Sequence, residues 1–223
     1  MDAPSDPGAS AAPFRPPSPE PITIAGPAGA IEALAEVPAG FDGRRVAVVC
    51  HPHPLFGGTM QNKVVHTTAR ALNELGYATI RFNFRGVGAS AGAFDEGRGE
   101  TEDALAVCDE AMRRWPGAAL SLAGFSFGSF VAYQAAGRRP TERLLLIAPP
   151  VQRFDFTAHP PPGMPWIVIQ GDRDELVDHE QVLGWTRSAV PPPTVVVLEG
   201  AEHFFHGRLS DLRAAVQAHF PGA

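Results

Sequence analysis

Ser126 lies in a sequence context typical of a serine that acts as a nucleophile. It is the centre of the motif GFSFG (residues 124–128), which follows one apolar run and opens another. A serine on a sharp strand-to-helix turn has strained backbone and needs small neighbours, and such a turn raises the hydroxyl above the sheet. We therefore predict Ser126 as the nucleophile; the alternative is a Gly/Ser turn without chemistry.

A serine hydroxyl is a weak nucleophile unless a base takes its proton, and the base needs an acid to orient it. His203, in GAEHFF (200–205) after the last apolar strand, is the predicted general base; nearby His206 is expected to point elsewhere. Two aspartates compete in GDRDELV (171–177). We favour Asp174, which lies further into the loop, whereas Asp172 can shape the turn through backbone hydrogen bonds.

An acyl-transfer site also needs backbone N–H groups to hold an oxyanion. One donor is expected from Phe127, directly after the serine, and the other from the loop HPHPLFGGT (51–59). Prolines lack an N–H group, which leaves Leu55 or Phe56 as the second donor. Aromatic residues flank these motifs and predict an apolar acyl pocket: Phe56, Phe125, Phe127 and Phe204, with His53 as a further lining residue.

A zinc site is the main alternative for the histidines. His51 and His53, with His203 or His206, are conceivable ligands. The intervening prolines hamper convergence, and no carboxylate stands at a usual ligand spacing. We predict no metal and no cofactor, and we expect His51 to anchor its loop by hydrogen bonds.

Two further features have structural interpretations. Arg85, in RFNFRGVGAS (81–90), is expected to hold its loop through a salt bridge, and substrate-carboxylate binding is the less favoured alternative. Cys50 and Cys108 are expected to be buried, inert thiols, which fits a reducing compartment. Because the N-terminus lacks the pattern of a secretory signal and the chain has no apolar run of ~18 residues, we expect a cytoplasmic protein without membrane spans.

The whole chain suits one domain. It has 223 residues, of which 44% are hydrophobic, and a formal net charge of −6. We predict a disordered Pro/Ala/Ser-rich tail over residues 1–20 and a single domain over 21–223. The negative balance and the absence of a clustered basic face argue against a nucleic-acid partner. The expected partner is a small-molecule substrate; the sequence does not indicate an oligomeric state.

Short apolar strands alternate with amphipathic helices. The predicted strands are Ile22–Ile24, Ile31–Val37, Arg45–Cys50, Tyr77–Phe84, Leu120–Gly124, Arg143–Ala148, Trp166–Gln170 and Thr194–Glu199. The predicted helices are Asn62–Leu75, Thr101–Trp115, Phe127–Arg138, His179–Ala189 and Leu209–Phe220. This alternation predicts an α/β fold with a mostly parallel central sheet and helices on both faces, whose chemistry gathers beyond the carboxyl ends of the strands.

The chain resembles the α/β-hydrolase superfamily, and within it the small lidless bacterial serine hydrolases near the dienelactone hydrolases and carboxylesterases. The motifs that carry the resemblance are HPHPLFGGTMQNKVV, RFNFRGVGAS, GFSFG, GDRDELV and GAEHFF, in family order. The resemblance implies Ser126, Asp174 and His203 as the triad, with the Leu55 and Phe127 N–H groups as oxyanion donors. The chain departs from dienelactone hydrolases, which use cysteine as nucleophile, and from lipases, which carry a helical cap.

The resemblance and the motifs together predict hydrolysis of small or medium acyl esters through an acyl-enzyme. A peptidase, thioesterase or acyltransferase would use the same triad, and a non-catalytic binding module would use only the fold. The stretch Val151–Met164, the only one that could cover the site, is short and Pro-rich. We therefore expect little or no cap, an open pocket and a preference for short acyl chains.

Overall fold

A computed structural model describes residues 14–157 and 163–220 of the chain. Its eight strands are β1 (Glu20–Gly26), β2 (Gly29–Glu36), β3 (Arg45–Cys50), β4 (Ala78–Phe82), β5 (Ala119–Phe125), β6 (Arg143–Ile147), β7 (Trp166–Gly171) and β8 (Thr194–Leu198). Its five α-helices are α1 (Lys63–Glu74), α2 (Arg98–Arg114), α3 (Phe127–Ala136), α4 (His179–Ser188) and α5 (Leu209–His219). The predicted alternation of strands and helices is confirmed.

The strands form one sheet in the order β1-β2-β4-β3-β5-β6-β7-β8. The hairpin of β1 and β2 and the pairing of β2 with β4 are antiparallel, and all other pairs are parallel. The central strands are apolar and buried on both faces, as expected where helices cover both sides of a parallel sheet. The predicted mostly parallel α/β fold is therefore confirmed.

Two apolar clusters flank the sheet. Buried residues of α2, α3 and α4 pack on one face, and buried residues of α1 and α5 pack on the other. Both clusters include alternate residues of the same strands, such as Val46 and Val48 on one side and Ala47 and Val49 on the other. Burial of apolar side chains on both faces stabilises the sheet and so holds together the carboxyl ends of β3, β5, β7 and β8. The predicted site lies at these strand ends.

Some boundaries differ from those predicted. The first strand begins at Glu20, which pairs with Ala35, so the ordered structure includes the last residue of the predicted tail; residues 1–13 of that tail lie outside the described part. Helix α2 begins at Arg98 rather than near Thr101, because the Glu100 carboxylate accepts the Gly97 N–H at 2.8 Å and closes the first turn.

Two other elements, the fourth strand and helix α3, also have bounds that differ from those predicted. The fourth strand starts and stops short of the predicted range, at Ala78 and Phe82, and Phe84 instead donates its N–H to His51. Helix α3 ends at Ala136.

Within residues 14–157 and 163–220, no helix combines the length and the apolar character needed to cross a bilayer.

Candidate active site

Ser126 stands on the sharp turn between β5 and α3, in the conformation that its motif predicts. Its backbone has φ 54° and ψ −123°, a region that costs a non-glycine residue free energy and is over-represented at functional sites. A side chain at Gly128 would collide with the carbonyl oxygens of Cys50 and His51, and one at Gly124 would collide with the Gly128 carbonyl. The two glycines therefore let β5, the turn and the loop after β3 approach closely enough to expose the serine hydroxyl.

His203 connects Ser126 to Asp174. Its Nε2 lies 3.1 Å from the Ser126 Oγ, and its Nδ1 lies 2.8 Å from the Asp174 Oδ2. His203 and the Asp174 side chain are buried, at 2% and 0% exposure. With the proton of neutral His203 on Nδ1, facing the carboxylate, Nε2 is left to accept the serine proton. The arrangement can activate a hydroxyl and stabilise the imidazolium that forms.

Asp174 is fixed by backbone and side-chain donors. Its Oδ1 accepts the N–H groups of Leu176 at 2.9 Å and Val177 at 2.8 Å, and its Oδ2 also accepts Gln170 Nε2 at 3.1 Å. Asp172 has a different partner, because its Oδ1 accepts the Gly200 N–H at 2.6 Å. The structure thus places Asp174 on His203 and gives Asp172 the turn-shaping contact that the sequence left as its alternative.

Sequence reasoning missed two residues that position this chain of hydrogen bonds. Gln170, at the end of β7, is a buried polar residue in an otherwise apolar strand, and that polarity was an available signal. The Glu175 carboxylate accepts the His203 N–H at 3.1 Å and so holds the histidine loop against the aspartate loop. Neighbouring charges in GDRDELV gave no signal that singled out Glu175.

A cleft with a volume of about 430 Å³ opens beside Ser126 and His203. Its wall includes four of the residues predicted to line a pocket: His53, Phe56, Phe127 and Phe204. The His53 ring lies 5.0 Å from the Phe127 ring and 4.7 Å from the Phe56 ring, between ring centroids. The wall is mainly apolar and aromatic, as in sites that bind organic substrates.

Phe125, also predicted to line the pocket, lies elsewhere. It is 1% exposed, belongs to the core on the α1 and α5 side of the sheet, and packs against the His203 ring at 5.1 Å between centroids. Because side chains alternate between the two faces along β5, Phe125 points into the core while the next residue forms the turn. It supports the imidazole from below and is not part of the cleft wall.

The predicted oxyanion donors differ in their surroundings. Phe127 is the first residue of α3 and lines the cleft, and the first amides of a helix have no acceptor within the helix. Leu55 is 67% exposed and is not part of the cleft wall; its N–H donates to His53 Nδ1 at 3.3 Å. The alternative, Phe56, donates its N–H to the His53 carbonyl.

His51 occupies a structural position. It is fully buried, its Nε2 accepts the Phe84 N–H at 3.0 Å, and its Nδ1 donates to the Pro52 carbonyl at 2.6 Å. Burial lowers the pKa of His51 to about 4, so the ring is neutral. Both ring nitrogens are engaged in hydrogen bonds, in the loop-anchoring role that the sequence indicated.

The remaining polar candidates also have structural partners. Arg85 forms a two-pronged ion pair with Asp103, at 2.8 and 3.0 Å, as the favoured interpretation of its loop predicted. His206 is exposed and lies 3.7 Å from Glu202. Cys50 and Cys108 are free and buried; burial raises the pKa of Cys108 to about 12 and that of Cys50 well above its usual value. Neither thiol can supply a thiolate nucleophile near neutral pH.

A protein-family model and a related protein sequence both match this chain. A family model described as serine aminopeptidase, S33, matches residues 44–162. An uncharacterized protein of Rickettsia prowazekii is 37% identical over 205 residues, which cover 87% of this chain and 86% of the relative.

Two solved structures are similar in sequence and fold. An α/β serine hydrolase homologue from Coxiella burnetii has 45% identity and a TM-score of 0.86, over 88% of this chain and 95% of that one. A Xanthomonas campestris protein, described as an α/β serine hydrolase without lid, has 43% identity and a TM-score of 0.86, over 93% and 96%. This chain is therefore a member of the serine aminopeptidase S33 family, a serine hydrolase of the α/β-hydrolase superfamily with the fold of its lidless bacterial members.

Proposed function

We propose that the protein hydrolyses small or medium acyl esters through an acyl-enzyme on Ser126. The Ser126 Oγ attacks the ester carbonyl while His203 Nε2 takes its proton, and the Asp174 carboxylate stabilises the imidazolium. The tetrahedral intermediate collapses as His203 gives this proton to the leaving alkoxide, which departs as the alcohol. Water then attacks the acyl-enzyme with His203 again as base, and the carboxylic acid leaves as Ser126 regains its proton.

The developing oxyanion requires backbone donors in this proposal. Phe127 N–H is the first, supported by its place at the start of α3 and in the cleft wall. Leu55 N–H is the second, in line with the family resemblance. Its present bond to His53 Nδ1 is long, at 3.3 Å, so the proposal requires this N–H to be shared with the oxyanion or to turn from one acceptor to the other.

The observation that favours an ester over an aminopeptidase substrate is the composition of the cleft wall. An aminopeptidase must bind the free ammonium group of its substrate beside the scissile bond, which calls for a carboxylate there. The described part of the wall contains no aspartate or glutamate, and its charged group is the guanidinium of Arg153. The nearby carboxylates of Asp172, Asp174 and Glu175 are already bound to backbone N–H groups.

Thioesterases and acyltransferases remain the second class of candidate, because they pass through the same acyl-enzyme. A non-catalytic module is disfavoured because the serine, histidine and aspartate are all at hydrogen-bonding distance. We also propose a small-molecule substrate and a cytoplasmic location, the latter because the two free, buried thiols suit a reducing compartment.

The test compares Ser126→Ala with Ser188→Ala, an exposed serine on α4 remote from the cleft. We expect Ser126→Ala to lower kcat/KM for p-nitrophenyl butyrate by roughly a thousandfold or more and to abolish labelling by a fluorophosphonate. The Ser188→Ala protein should behave as wild type. Aminoacyl p-nitroanilides and a butyryl thioester are assayed in parallel. Substantial turnover by Ser126→Ala, or faster hydrolysis of the anilides than of the ester by wild type, would overturn the proposal.

A further inference from the structure

Arg153 is a cation on the wall of the cleft and has no acidic partner in the part of the chain that the structure describes. It lies in the turn after β6, where Arg153 N–H and Phe154 N–H both donate to the Pro150 carbonyl, at 2.9 and 3.2 Å. Arg153 and Phe154 both line the cleft with Ser126 and His203. The turn is therefore held in place while the guanidinium projects from it as an exposed group.

Most arginines of this chain bind a carboxylate. Ion pairs join, for example, Arg81 to Glu36, Arg85 to Asp103 and Arg139 to Asp109. Arg153 forms no such pair within residues 14–157 and 163–220, and the neighbouring residues 158–162 contain no acidic side chain. In a chain with a formal net charge of −6, a cation left without an acidic partner beside the nucleophile indicates a role toward a ligand.

His53 provides a second donor on the same wall. Because its Nδ1 accepts the Leu55 N–H, the proton of the neutral ring is on Nε2. His53 and Arg153 line the same cleft; burial lowers the pKa of His53, and the nearby Arg153 guanidinium lowers it further. The cleft thus combines a guanidinium and an imidazole N–H with aromatic walls and lacks acidic residues among those described.

We infer that the cleft selects esters that carry a carboxylate some distance from the scissile carbonyl, with Arg153 binding that carboxylate and the His53 Nε2–H as an auxiliary donor. A guanidinium can hold a carboxylate through two parallel N–H···O bonds, so it fixes the orientation of the substrate as well as its charge. The inference rests on the proposed ester hydrolysis and specifies its substrate class. The same positive wall disfavours a substrate with an ammonium group at this position.

Two matched substrate pairs locate the carboxylate. The acyl-side pair is p-nitrophenyl hemiglutarate and p-nitrophenyl hexanoate; the alcohol-side pair is 4-acetoxybenzoate and 4-acetoxybenzamide. The measured quantity is the ratio of kcat/KM for the anionic member to that for the neutral member, after subtraction of spontaneous hydrolysis. We expect Arg153→Gln to lower this ratio about three- to tenfold in at least one pair, mainly through KM, and Arg153→Lys to retain part of it.

The control is Arg44→Gln, which changes the net charge equally at a site outside the cleft, where Arg44 pairs with Asp42. This control should keep the wild-type ratio. Unchanged ratios for both pairs in Arg153→Gln, or an equal fall in Arg44→Gln, would overturn the inference. Calorimetry of glutarate binding to wild type and Arg153→Gln separates the inference about Arg153 from the proposed function. If the wild-type protein lacks esterase activity but binds glutarate through Arg153, only the esterase proposal is wrong.

Discussion

At the scale of single residues, the site depends on which carboxyl group meets the imidazole. Asp174 accepts hydrogen bonds from two backbone N–H groups, from Gln170 and from His203. These donors fix the plane of the carboxylate, so that one oxygen stays on the His203 Nδ1. Asp172, two residues earlier, instead ties the end of β7 to the turn after β8 through Gly200.

Exchanging each aspartate for asparagine separates these roles. We expect Asp174→Asn to lower kcat/KM for a short-chain ester by roughly 10³- to 10⁴-fold, since an amide NH₂ facing Nδ1 favours the tautomer whose Nε2 cannot accept the serine proton. Asp172→Asn keeps an oxygen for the Gly200 N–H and should cost less than about tenfold. Both proteins are assayed after circular dichroism has shown that they are folded. A larger loss for Asp172→Asn than for Asp174→Asn would show that Asp174 is not the triad acid.

At the scale of elements, the loops that follow parallel strands bring the site together. Ser126 follows β5, Asp174 follows β7, His203 follows β8, and the loop with His53 follows β3. All four strands point the same way, so their carboxyl ends share one edge of the sheet. His51 joins the loop after β3 to the segment after β4, since its ring bonds to the Pro52 carbonyl and to the Phe84 N–H.

The buried His51 predicts an acid dependence of stability. Its folded-state pKa, about 4, is lower than that of an unfolded histidine, so the unfolded chain binds the proton more readily and stability falls as pH drops below about 6.5. Between pH 7 and pH 5 this group alone should lower the free energy of unfolding by about 2 kcal/mol. Urea unfolding of wild type and His51→Gln is compared across this pH range. The comparison separates the contribution of His51 to stability from that of the titrating carboxylates. The stability gap between the two proteins should narrow toward pH 5; parallel curves would contradict the assignment.

At the scale of the whole molecule, the cover over the cleft sets the size of substrate that can be shielded. The stretch Val151–Met164, between β6 and β7, is the one that the sequence predicted as a possible cover. It contributes Arg153 and Phe154 to the wall, its described part consists of turns, and residues 158–162 lie outside the described part. The cleft is about 430 Å³, within the range of sites that bind small organic molecules.

We therefore expect a preference for short acyl chains. Each buried methylene adds only about 0.8 kcal/mol, so a long chain gains binding energy only where the protein covers it. Across p-nitrophenyl esters from acetate to palmitate, kcat/KM should peak at roughly two to six acyl carbons, without activation by an oil–water interface. A maximum at twelve carbons or more would show that another segment or a second subunit supplies the missing cover.

Much of this arrangement is determined by the sequence itself. The spacing of apolar residues and the positions of glycine and proline predict the alternation of strands and helices, because these are local signals of burial and of turns. The GFSFG turn is also a local feature. A sharp strand-to-helix turn leaves no room for a Cβ at Gly124 or Gly128. The order of Ser126, Asp174 and His203 along the chain follows once each is placed after its strand.

Only the tertiary structure decided which groups meet across the sheet. The order of β3 and β4 in the sheet, the placement of Asp174 rather than Asp172 on His203, and the turn of Phe125 into the core depend on contacts between residues far apart in sequence. Position in the loop favoured Asp174 over Asp172, but only the folded chain shows which carboxylate reaches His203 after β8. Arg153 likewise gave no signal in sequence, because whether an arginine is neutralised depends on which carboxylates the fold brings within reach.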